Sequence, residues 1–164
     1  MNNLTGDVIG NPPLLAYLES HGVTLKDMVE AALELFVPHP GVPDAEKAVE
    51  IILTQLREAL LDVNVSTLVV ACYRAEDDAK AGLIPNLTQE RFLGRPSLVT
   101  DELLGMTIAN YIAGAKGIFE FIRFDQKKPG VLARLGPITN DAVGGLIAGC
   151  SSNMYSEALR RSTR

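Results

Sequence analysis

Basic residues are in short supply in this chain. Lys and Arg number 15 against 20 Asp and Glu, for a formal net charge of −5 and a sequence pI of about 5.0. A nucleic-acid partner is therefore not expected, because it needs a concentrated positive surface. The basic clusters Lys127-Lys128 and Arg160-Arg161 are too small to change that. Cysteine is equally scarce. Cys72 and Cys150 both lie in apolar surroundings, which predicts two buried, reduced thiols, no disulfide framework and a cytoplasmic location. Long apolar runs are absent. The best, Leu103 to Ala115 and Ala142 to Cys150, fall short of the ~18 residues that suggest a membrane span. The first residues, Met1-Asn2-Asn3-Leu4-Thr5-Gly6-Asp7, lack the basic and apolar regions of a signal peptide. There is no glycine-rich phosphate loop of the Walker or dinucleotide type and no visible Ser, Cys or His triad. His21 and His39 are far in sequence from every acidic cluster, so a histidine mechanism has no support. Repeats and low-complexity tracts are also missing.

What is present is a long supply of apolar residues. They make up 47% of the 164 positions, with a mean hydropathy of +0.15. That is enough for one domain with a real core, or a core plus a homo-oligomer interface. Residues 1–13, with two glycines, two prolines and several asparagines, read as a lead-in. Leu14, Leu15 and Leu18 suggest a short helix stopping near Gly22. Thr24 with Asp27 marks a helix start, and Leu25, Met28, Val29, Ala32 and Phe36 follow helical spacing. Pro38 to Pro43 is a break. Asp44 caps a helix with Val49, Ile52, Leu53, Leu56 and Leu60 on one face.

Val63 to Tyr73 reads two ways. Val63, Val65, Thr67 and Val69 alternate like a strand, yet the run flows into a helical segment ending at Gly82, and no other segment offers a partner strand. Helix is preferred. Thr88 starts a short turn closed by Gly94. Ser97 or Thr100 caps a long helix through about Lys116, which Phe119 to Phe124 would continue. Pro129 opens a short helix closed by Gly136-Pro137, and Thr139 or Asn140 caps the last helix, through about Leu159. The expected fold is all-α: a single domain over residues 1–164, six to eight helices, one of them surrounded by the others.

Three acidic clusters punctuate the second half: Thr100-Asp101-Glu102, Asp125 ahead of Lys127-Lys128-Pro129, and Asn140-Asp141. The helices beside them carry small residues every fourth position. Gly105, Ala109, Ala113 and Gly117 form one such stripe, and Gly145 with Gly149 and Gly144 with Ala148 repeat the spacing. Such stripes allow close backbone approach, which would bring Asp101, Glu102 and Asp141 together. Gathered carboxylates repel unless a cation or protons intervene, and hard divalent cations such as Mg²⁺ take oxygen ligands of this kind. Lys127 and Lys128 fit phosphate binding. Each feature also has a plain structural reading. Acids in first helical turns are favoured by the macrodipole, the two lysines make an ordinary basic turn, and Ser151 and Ser152 read as packing or back-bonding residues.

Taken in order, Val99-Thr100-Asp101-Glu102-Leu103-Leu104-Gly105-Met106, then Phe124-Asp125-Gln126-Lys127-Lys128-Pro129-Gly130-Val131-Leu132, then Asn140-Asp141-Ala142-Val143-Gly144-Gly145 resemble the three motifs of the phosphatidylglycerophosphatase A superfamily. The resemblance covers the C-terminal half, with a looser likeness back to Glu76-Asp77. The chain departs at Asn140, where the superfamily usually has an Asp. The resemblance implies an all-helical, Mg²⁺-dependent phosphomonoester hydrolase. Its catalytic residues would be Asp101, Glu102, Asp125, Lys128 and Asp141. The metal would sit on Asp101, Glu102, Asp125 and Asp141, with Asn140 as a further ligand, and Lys127 and Lys128 would bind a small-molecule phosphomonoester. Without membrane spans, and with Tyr111-Ile112-Ala113-Gly114 leading into Gly117 to Asp125, the chain is similar to the soluble α-ribazole phosphatase branch of cobalamin biosynthesis, acting on α-ribazole 5′-phosphate or cobalamin 5′-phosphate. The alternatives are a phosphatidylglycerophosphatase acting on a lipid phosphate and a non-catalytic helical interaction module.

Overall fold

Local signals set most of the helix boundaries. In a computed structural model, which describes residues 12–94 and 97–163, helix α1 (Pro13–Ser20) has Pro at its start and stops before Gly22, whose φ is +79°. The expected lead-in lies outside the described residues apart from Pro12 and Pro13. Helix α2 (Leu25–Glu34) begins with a capping box in which Thr24 and Asp27 satisfy each other's backbone N–H groups. Helix α3 (Ala45–Leu61) is capped by Asp44, whose carboxylate accepts from the Lys47 N–H at 2.9 Å. Ile52, Leu56 and Leu60 are buried on its inner face.

The Val63–Tyr73 segment is helical, as the first eleven residues of α4 (Val63–Lys80). Its buried residues, Val65, Val69, Cys72, Tyr73, Glu76 and Ala79, follow the helical stripe rather than the alternation of the valines. Among the described residues there is no strand, and β pairing is confined to an isolated bridge between His39 and Val42. Helix α5 (Gln89–Leu93) is the short turn after Thr88, whose hydroxyl accepts from the Arg91 N–H.

Three sequence expectations change in the second half. Helix α6 (Thr100–Ala113) takes no side-chain cap from Ser97 or Thr100. Thr100 is already its first residue, and the Asp101 carboxylate accepts the Glu102 N–H instead. The helix also stops short of Lys116. Gly114, at φ +69°, turns the chain where most side chains would be strained, and Phe119 to Phe124 belong to a separate helix, α7 (Ala115–Lys127). The four-residue stripe is therefore split. Gly105, Ala109 and Ala113 lie on α6 and Gly117 on α7, yet Gly117 still packs on that stripe, since a Cβ there would come within 3.1 Å of the Ala113 Cβ. After α7, Pro129 leads into a 3₁₀ turn (Gly130–Arg134).

Helix α8 (Thr139–Ser162) is the surrounded one. It packs on α2, α3, α4, α6, α7 and the 3₁₀ turn, and every residue from Asp141 to Ser152 is buried. Each large apolar side chain buried here, such as Leu146 or Ile147, is worth roughly 1.5–3 kcal/mol. Glycines let the neighbours close in. A Cβ on Gly105 would stand 2.7 Å from the Asp141 carbonyl oxygen and 2.5 Å from the Phe121 ring, and one on Gly149 would stand 2.7 Å from the Ile112 Cβ. Cys72 and Cys150 are buried free thiols, as expected. Ser152 is buried too, but the Ser151 hydroxyl has no hydrogen-bond partner among the described residues, so it does not back-bond. No helix of the described residues is long and apolar enough to cross a membrane.

Candidate functional site

The site gathers at the start of α8. Glu76, 62 and 63 residues upstream in the sequence, reaches across from α4 and accepts the Ile138 N–H at 2.9 Å and the Thr139 N–H at 2.8 Å through one carboxylate oxygen. Its other oxygen takes the Lys80 ammonium at 2.6 Å. Burial alone would raise the Glu76 carboxyl, but the Lys80 and Thr139 hydrogen bonds outweigh it and hold Glu76 below the usual carboxylate value. Glu76 therefore does what Thr139 or Asn140 was expected to do. Thr139 is already helical and accepts from the Gly136 N–H, while the Asn140 amide nitrogen turns back to the carbonyls of Gly136 and Pro137.

That turn leaves the Asn140 amide oxygen facing Lys128. The Lys128 ammonium donates to Asp125 at 2.5 Å, to Asp141 at 2.7 Å and to the Asn140 amide oxygen. Three oxygens from two helices thus surround one positive charge. Lys128 ends α7 in a left-handed conformation, φ +47°, that a lysine rarely adopts. The next residues are pinned. The Gly130 N–H donates to Glu34, and Arg134 donates to the Gly22 carbonyl and pairs with Asp27. Strained backbone held by its surroundings in this way is typical of functional positions.

Electrostatics tighten the group. Burial opposes the Lys128 charge, but Asp125 and Asp141 more than restore it and keep the ammonium above its ordinary value. The Asp141 side chain is only 3% exposed. Its burial, with the like charge of Asp125, outweighs Lys128 and pushes it up to about 7. Asp101 lies within the fields of Lys128 and Asp125, and burial raises it above the usual range. Cys72 sits close enough to feel Asp141, and its thiol is pushed up to about 11, mainly by burial.

Of the predicted residues, Asp125, Lys128, Asn140 and Asp141 come into direct contact, and Asp101 stands beside them. Glu102 is exposed on the first turn of α6, and Lys127 is exposed at the end of α7. Among the described residues no three His, Cys, Asp or Glu side chains form a ready metal shell. The donor chemistry still suits a hard cation, since oxygen atoms alone converge on Lys128, and Mg²⁺ usually needs only one or two protein carboxylates besides water and phosphate. Sequence reading missed the part played by Glu76. Its spacing from Lys80 signals a local i,i+4 pair, and nothing in the sequence signals its reach to α8.

No family model matches the chain. The fold is similar to three solved structures: low temperature requirement C protein from Listeria monocytogenes, at TM-score 0.72 and 23% identity over 88% of this chain and 93% of that one; protein ypjQ from Bacillus subtilis, at 0.71 and 19% over 90% and 94%; and a protein of unknown function from Bacillus stearothermophilus, at 0.71 and 22% over 88% and 96%. At the level of sequence, the chain is 36% identical over 135 residues to the uncharacterised protein MJ1330 of Methanocaldococcus jannaschii, an alignment covering 77% of this chain and 99% of that protein, and it belongs to that protein's family.

Proposed function

We propose that the chain is a Mg²⁺-dependent phosphomonoester hydrolase, resembling the soluble branch of the phosphatidylglycerophosphatase A superfamily. One observation carries the reading: Asp125, Asn140 and Asp141 close on a single cationic group at the N-terminus of α8. Asp125 and Asp141 would hold the metal, with the Asn140 oxygen beside them and Asp101 adding negative charge nearby. When bound, Mg²⁺ polarises a phosphoryl oxygen and makes a bound water more acidic. Lys128 holds the phosphate and offsets the charge that develops during transfer. The Asn140 amide is fixed by Gly136 and Pro137, so its oxygen is oriented before any ligand arrives. Glu76 keeps the start of α8 in place beneath these groups. The positive end of the helix dipole favours an anion at the same point. Glu102 and Lys127, both exposed, contribute charge from the rim.

The substrate proposed from the resemblance is α-ribazole 5′-phosphate or cobalamin 5′-phosphate, in the cytoplasm. A screen of phosphomonoesters with and without Mg²⁺, including α-ribazole 5′-phosphate and phosphatidylglycerophosphate, tests this. Turnover only with Mg²⁺ and a preference for α-ribazole 5′-phosphate is the expected result. Preference for the lipid would move the chain to the other branch, and no metal-dependent turnover of any ester would leave the non-catalytic helical module.

A further inference from the structure

We propose that the cavity between α4, α5, α6 and the start of α8 is the subsite for the organic group of the phosphomonoester, and that it takes a compact apolar body carrying a hydrogen-bond acceptor. The inference rests on the phosphatase reading. The cavity holds about 440 Å³, and its walls include Ile84, Leu87, Leu104 and Ile138. That volume is at the lower end of the range that buries small organic ligands, about 300–1,000 Å³.

Its position ties it to the Lys128 group. Thr100, in the wall, is the chain neighbour of Asp101. Leu104 follows Asp101 by three residues on α6, so the two side chains share a face about 5–6 Å apart. Ile138 stands two residues before Asn140, and its N–H is held by Glu76. The cavity and the Lys128 group thus share the first turn of α6 and the start of α8.

The lining sets the chemistry. It is chiefly aliphatic, and Arg91 stands in it with no ion pair among the described residues. A guanidinium beside apolar walls suits a ring system or short branched chain with a carbonyl, hydroxyl or ring nitrogen at its far side.

The test compares 2-naphthylmethyl phosphate, ethyl phosphate and dioctanoyl phosphatidic acid as substrates with Mg²⁺. The wild-type chain should show kcat/KM for the naphthyl ester at least about tenfold above ethyl phosphate, the range that apolar pocket contacts supply. Leu104→Trp, which fills the cavity, should bring that ratio close to one. Leu103→Trp, on the exposed side of the same helix, should keep it. A second measurement needs neither catalysis nor a variant: 2-naphthylmethanol titrated into the wild-type chain should shift the methyl NMR signals of Ile84, Leu87 and Leu104. Esters hydrolysed without a naphthyl preference, a preference for the diacyl lipid, or methyl signals that do not move would overturn the subsite and leave the phosphatase standing. Methyl shifts with no hydrolysis of any ester would overturn the phosphatase and keep the cavity as an apolar-ligand site.

Discussion

Gly105 and Gly145 meet backbone to backbone across α6 and α8: a Cβ added to Gly145 would stand 3.0 Å from the Gly105 carbonyl carbon and closer still to its oxygen. The obstacle is main chain inside two packed helices, so it cannot swing aside. Gly145→Ala should therefore destabilise the protein even though alanine is the better helix former by about 1 kcal/mol. Overpacking costs about 1–3 kcal/mol and wins. Gly145→Leu should do worse and fail to give a cooperative thermal transition. The check is the denaturation midpoint. An unchanged value for Gly145→Ala would mean that the helices stand further apart.

Lys128 separates charge from backbone conformation. Lys128→Ala should lose about a hundredfold in kcat/KM, the usual effect of deleting one transition-state contact, while Lys127→Ala, exposed at the helix end, should stay within about twofold. A loss confined to KM would indicate ground-state phosphate binding; a fall in kcat would indicate a contact that strengthens in the transition state. Lys128→Gly removes the same charge but relieves the left-handed backbone. It should unfold about 1 kcal/mol harder than Lys128→Ala. Equal stabilities would show that the turn carries no strain.

The acids should not behave alike. Asp141→Asn and Asp101→Asn should abolish Mg²⁺-dependent hydrolysis and leave the helical circular dichroism intact. Glu102→Gln, exposed and outside the Lys128 contacts, should retain most of the rate. If Glu102→Gln is as damaging as Asp141→Asn, the metal lies nearer the α6 rim than the Lys128 group. Parent rates in both Asp variants would remove the site altogether.

Acid stability should report on Glu76. Its folded-state affinity for protons is lowered by Lys80 and Thr139, against an ordinary value of 4.5. The unfolded chain therefore binds the proton more readily, so this stabilisation is fully present above pH 4.5 and is lost as pH falls through the lower folded value. Glu76→Gln should cost about 2 kcal/mol near neutrality, as expected for hydrogen bonds to a charged group. Its unfolding free energy should also fall less steeply below pH 4.5. Parallel pH profiles for the two proteins would show that Glu76 is not a charged anchor of α8.

Much of the fold was legible in the chain because its signals are local. Thr24 with Asp27, Asp44 before Lys47, and glycines at 22 and 82 act within one turn of the helices they bound. That one helix is surrounded by the others was expected, and the structure shows it to be α8. The motif residues were legible as residue types, Asp125 ahead of Lys128 and Asn140 beside Asp141. Their arrangement was not. Asn140 meets the lysine because the carbonyls of Gly136 and Pro137 hold its amide nitrogen and leave its oxygen toward Lys128, while Glu102 stays exposed on α6. Gly114 split a continuous four-residue stripe because a single positive φ redirects a helix without altering the spacing of its side chains. Glu76 caps a helix 63 residues away. Periodicity and capping are properties of neighbouring residues and can be read from sequence, whereas charge seated across three helices exists only once the core has closed around it.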